Sequence, residues 1–192
     1  MMMKTLLSTL IFWLWLSFNA TAGNTNINMT ANIISTSCRV TLDNNGNIDL
    51  GTVDYSYLNN NSSVDRVYSG GQPFYITVSD CAQVAGKNPA HLTVSFTPLA
   101  GTLAATNLQV FANQQVNGAK NVGVVILSTE DAQHIFNVLD TRGQPQSIYP
   151  VTPETLANAT YHFYARMQKI DPEQAATSGV VKASVFVGVY YE

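Results

Sequence analysis

The stretch "GNTNINMTANIIS" (Gly23–Ser35) decides how the chain is read. Thr25, Ile27, Met29, Ala31 and Ile33 fall on one side of an extended strand, and Asn24, Asn26, Asn28, Thr30 and Asn32 on the other. Period-2 alternation of this kind marks a strand with one buried face. Yet it stands at the front of the exported chain, where segments fray unless they are tied down. The question it raises is which sheet it joins.

What precedes it reads as a signal peptide. Lys4 gives a positive n-region, Leu6 to Phe18 an apolar run, and Ala20-Thr21-Ala22 a small-residue cleavage site. Residues 1–22 are therefore expected to be removed, leaving a chain long enough for one domain with its own core. Without Lys4 that chain carries 8 basic and 12 acidic residues, a formal charge of −4. No basic patch is present, which argues against nucleic acid or anionic lipid as partners. Charged residues make up only 11% of the sequence, against roughly 25% in a typical globular domain. Amides and hydroxyls carry the polar surface instead, which suits a protein that packs against neighbours.

The two cysteines, Cys38 and Cys81, are expected to form a disulfide, the default in an oxidising compartment. A loop of that length contributes about 4 kcal/mol in the chain-entropy model.

Beyond Cys38 the pattern is all-β. "PFYITVSDC" (73–81) places Phe74, Ile76 and Val78 on one face, and "HLTVSFTPL" (91–99) follows. "NVGVVIL" (121–127) and "ATYHFYARMQKI" (159–170) are further strands. Turn residues recur at sandwich-like intervals. "SYLNNNSSVDRVYSGGQ" (56–72) reads as a polar loop. "PETLANA" (153–159) is the one helix-tolerant window, with no convincing cap. The final stretch "GVVKASVFVGVYYE" (179–192) alternates again: Val181, Ala183, Val185, Val187, Val189 and Tyr191 share a face. A sandwich normally lays a further strand beside one so apolar. The expected fold is thus a β-sandwich with an apolar strand at each end of the chain, one of them short of a partner.

No catalytic constellation emerges. His91, His134 and His162 are far apart, with no metal-ligand spacing. Glu130 and Asp131 are strand neighbours facing opposite ways, a poor acid/base pair. "GGQP" (70–73) leads into a strand rather than a helix, so it is no phosphate cradle. Tyr161, Phe163, Tyr190 and Tyr191 read as core and groove lining. No enzyme activity, cofactor or metal is expected.

Four segments together resemble the chaperone–usher pilus subunits of the type 1 fimbrial family: the alternating leader ahead of Cys38, "PFYITVSDC", "YHFYARMQ", and the closing alternation with its penultimate Tyr191. The resemblance spans residues 23–192 and implies an incomplete immunoglobulin-like sandwich, lacking its C-terminal strand, over residues 37–192. Residues 23–36 would be an N-terminal donor-strand extension running into the first strand. Thr25, Ile27, Met29, Ala31 and Ile33 would be the donor side chains. Val185, Val187, Val189 and Tyr191 would line the acceptor groove and the chaperone contact. Implied partners are other pilus subunits, a periplasmic chaperone and an outer-membrane usher, with host glycan reached through the fibre tip. The implied destination is a cell-surface fimbrium, reached through the periplasm. Ala31 stands where many such subunits have glycine, and the short leader looks more like a minor adaptor than a rod subunit. Two alternatives share these motifs: a single-domain minor adhesin that binds host glycan, and a fibre terminator that accepts no incoming strand.

Overall fold

A computed structural model of the chain describes residues 26–31, 38–81 and 90–191. Two β-sheets face each other. In chain order the strands are β1 (Asn26–Ala31), β2 (Arg39–Leu42), β3 (Asn47–Asp49), β4 (Gln72–Ser79), β5 (His91–Pro98), β6 (Leu103–Ala104), β7 (Asn107–Ala112), β8 (Val122–Ser128), β9 (Phe136–Asn137), β10 (Ile148–Pro150), β11 (Asn158–Lys169) and β12 (Lys182–Tyr191). One sheet runs β10-β5-β12-β1-β3, and the other β2-β4-β11-β8-β7-β6 with β9 beside β8. This is the all-β sandwich expected of such alternation, with the immunoglobulin-like layering that the resemblance implies.

The strands bury the residues that their period selects. Phe74, Ile76 and Val78 on β4 are buried, as are Tyr161, Phe163 and Ala165 on β11. Phe163 stacks on Phe74 with ring centroids 5.5 Å apart and meets Phe96 of the facing sheet edge-on at 5.0 Å. That trio joins the two layers, an arrangement aromatic quadrupoles favour. Cys38 and Cys81 are disulfide-bonded. The bond ties the start of β2 to the end of β4.

The second sheet is covered on its outer side as well. Tyr164, Arg166 and Gln168 point out of β11, opposite the core face, and all three grip the segment 62–71. Tyr164 Oη donates to the Tyr68 carbonyl (2.7 Å) and accepts from Gly71 N (2.8 Å). Arg166 donates to the carbonyls of Ser63 and Arg66 and to Gln168 Oε1. Gln168 Nε2 reaches Ser62 O at 3.1 Å. Arg166 is fully buried, and its guanidinium lies 4.9 Å from the Tyr68 ring centroid. Burial lowers its pKa, while the nearby phenols of Tyr57 and Tyr68 act the other way. Among the described residues no carboxylate pairs with it; main-chain carbonyls and the ring satisfy the charge instead.

Two readings need correction. The segment 56–72, expected to be a polar loop, begins inside a short helix, α1 (Tyr55–Asn60). Asp54 caps it by accepting from Tyr57 N at 2.8 Å. That contact also holds the Asp54 carboxyl below its usual pKa. "PETLANA" likewise holds a helix, α2 (Pro153–Ala157), and it is well capped. Thr152 and Thr155 bond each other's backbone N–H, a capping box with threonine in place of the usual glutamate, and Pro153 opens the first turn.

Candidate functional site

β1 lies between β12 and β3. It runs parallel to β12, with Ile27 opposite Ala183, Met29 opposite Val185 and Ala31 opposite Val187. Against β3 it is antiparallel, with Ile27 opposite Ile48. Ala183, Ile27 and Ile48 therefore form a row across three strands. Each is at most 6% exposed, and Met29 beside Val185 is 5% exposed. The opening strand thus lies in the chain's own sheet, beside the chain's own last strand.

With β1 lifted out, β12 and β3 would stand two strand spacings apart, about 9–10 Å. The slot is one strand wide. Its floor is the sandwich core, toward which Val185, Val187 and Val189 point, all buried. One wall is the main chain of β12; the other is β3 with the 3-10 turn Asp43–Gly46 ahead of it. Gly46 takes a left-handed φ of +76° and comes so close to the Met29 carbonyl that a side chain there would collide with it.

The first half of β12 is held from the far side. Lys182 N donates to Asn113 Oδ1 (2.9 Å), and Ser184 N to Gln114 Oε1 (2.9 Å). Leu99 N donates to Ser184 O (2.9 Å). From Val185 onward β5 takes over that edge. The β12 wall is therefore braced along its length by groups that do not involve β1.

Of the residues assigned from sequence, Ile27 and Met29 line the slot with Val185 and Val187. Val189 is buried further along β12, opposite Val94 of β5. Tyr191 is half-buried, and its hydroxyl donates to Cys81 Sγ at 2.9 Å. Thr25 and Ile33 lie outside the described residues, and Ala31 is placed by its backbone register alone. Gly46, Asn113 and Gln114 were not singled out from sequence. A glycine after "DNN" reads as an ordinary turn, and the two amides sit in a loop that carries no periodic signal.

Two acid–histidine pairs lie at the surface. Glu130 Oε2 accepts from His162 N (2.9 Å) and meets His162 Nδ1 at 3.0 Å. Asp131 Oδ2 meets His134 Nδ1 at 2.6 Å, which helps hold that carboxyl below its usual pKa. The two adjacent acids thus serve separate histidines. Tyr161 packs at a tilt against Tyr149 in the core, 4.5 Å between centroids.

The family model of the fimbrial proteins matches residues 27–192, from Ile27, the first buried residue of β1, to the end of the chain. The chain belongs to the fimbrial protein family. The fimbrial chain is 41% identical over its whole length to the fimbrial-like protein YadK of Escherichia coli K12, of which it covers 96%. Among solved structures it is similar to the CupB6 tip adhesin of Pseudomonas aeruginosa, at 14% identity and a TM-score of 0.43. That alignment covers 88% of the chain but only 41% of the adhesin. An antigen and type I fimbria protein of Burkholderia pseudomallei aligns at 16% identity and a TM-score of 0.42, over 88% of the chain and 94% of its own length.

Proposed function

We propose that this fimbrial protein is a structural subunit of an adhesive surface pilus, exported with the aid of a signal peptide. Its subunits join by strand donation, with a periplasmic chaperone and an outer-membrane usher in attendance. The observation that carries the reading is the slot: a gap one strand wide between β12 and β3, filled by the alternating segment nearest the front of the exported chain. A strand entering such a gap gains hydrogen bonds along both edges and drops side chains into a preformed core, the mode of β-strand addition. Burying Ile27 and Met29 is worth roughly 1.5–3 kcal/mol each, and each ladder bond about 0.5–1.5 kcal/mol. An empty slot would expose apolar β12 and its unpaired main chain, an aggregation hazard that calls for a protective partner in transit.

The test uses cells that make the complete fibre. Surface fibres are sheared off and probed for the chain before and after boiling in detergent. The chain should appear in high-mass, detergent-resistant species that collapse on boiling. A variant with Ile27→Asp and Met29→Asp should stay in the periplasm. Finding the natural chain only as a free periplasmic protein would contradict the proposal.

A further inference from the structure

We propose that β1 in its own slot is a self-capped form of the subunit, closed to assembly, and that the length of the connection to Cys38 dictates the direction of the cap. The inference rests on the strand-donation reading above. A single leader cannot fill its own slot and a neighbour's at the same time. While β1 lies between β12 and β3, the subunit can neither give its leader nor receive another. It is inert, and its apolar β12 edge is covered.

The direction follows from the chain. Six residues separate Ala31 from Cys38. Cys38 is bonded to Cys81, which accepts the Tyr191 hydroxyl, so it is anchored at the Tyr191 end of β12. Running parallel, β1 brings Ala31 opposite Val187, close to that anchor. Reversed in the same register, Ala31 would face Lys182, and the path back would follow the whole of β12, about 30 Å. Fully extended, the connection reaches about 25 Å. In this register the leader can therefore enter its own slot in one direction only. A strand from another chain is free of that tether.

The cap is also the weaker kind of closure. Its bond to β12 is a parallel ladder, slightly less stable per residue than an antiparallel one. Against β3, among the described residues, only Asn26, Ile27 and Asn28 are paired. Self-capping thus protects the free subunit without sealing it.

The experiment takes the exported, disulfide-bonded chain as a purified monomer. Hydrogen exchange is followed at the amides of 26–31. Uptake of a biotinylated peptide "GNTNINMTANIIS" is timed for this chain and for two weakened-leader variants, Ile27→Asp with Met29→Asp and the milder Met29→Ser. Self-capping predicts slow exchange across 26–31, and peptide uptake at least tenfold faster in a variant than in the natural chain. Free exchange at 26–31, with equally fast uptake by all chains, would overturn the cap and leave strand acceptance standing. Slow exchange with no uptake by any chain would overturn both, because β1 would then be a permanent strand.

Discussion

Gly46 sits over the main-chain carbonyl of Met29, close enough that a methyl group on the glycine would run into that oxygen and press on the Leu42 side chain. The turn Asp43–Gly46 thus acts as a gauge for whatever strand lies in the slot. It admits a backbone at the level of Met29 only because residue 46 has no Cβ.

Two costs are expected of Gly46→Ala. One is the left-handed φ of +76°, which is paid whether or not the slot is filled; the other is the clash with the inserted strand. Together they should lower stability by about 1–3 kcal/mol. In a background with Ile27→Asp and Met29→Asp the second cost should vanish. Urea unfolding of the four chains gives the coupling between the sites. An equal cost in both backgrounds would show that the turn does not sense the strand.

Arg166→Met should be among the most damaging single changes on the outer face of the second sheet. It strips donors from the carbonyls of Ser63 and Arg66 and unpins the segment that covers β11. Leaving such groups unpaired under a loop costs at least about 3 kcal/mol in sum. Limited proteolysis should show new cleavage between residues 62 and 71 before global unfolding. Arg166→Lys should fall between, since an ammonium cannot span the same carbonyls.

Alkaline pH should loosen the core at a definite point. Tyr149 is buried, and its hydroxyl shares a 2.7 Å hydrogen bond with Ser128 Oγ. Burial pushes its pKa up to about 12. The fold therefore favours the neutral phenol. That contribution is complete below the unfolded value near 10 and is lost as pH rises from about 10 to about 12. Stability measured across that window should fall by about 2–3 kcal/mol more in the natural chain than in Tyr149→Phe. Parallel curves for the two chains would contradict the assignment.

Much of the sandwich is legible in the sequence because a strand's period reports directly which side is buried. Ile27 with Met29, Phe74 with Ile76, and Val185 with Val187 all lie inward as their alternation implies. Alternation names a face, however, and not a neighbour. It could not tell that the leader lies parallel to β12, because that depends on the tether to Cys38 and on the gap left by β3. The helix caps at Asp54 and Thr152 were missed for a local reason: each is a short polar side chain ahead of a segment too short to show helical periodicity. Arg166 was opaque in another way. A charged residue on the outward side of a strand implies solvent, and only the carbonyls of a distant loop make its burial tolerable.

The most direct test of the central claim is a pair of melting curves. The full-length exported chain with Ile27→Asp and Met29→Asp, disulfide intact, is heated alone and again after incubation with the peptide "GNTNINMTANIIS". An incomplete sheet predicts that the variant melts well below the natural chain. The peptide should then raise its Tm by more than about 10 °C, in a complex that persists after excess peptide is removed; a few kcal/mol of strand binding suffices for a shift of that order. A variant that melts with the natural chain and ignores the peptide would mean that the sheet is complete without the strand, and that the leader has no part in holding subunits together.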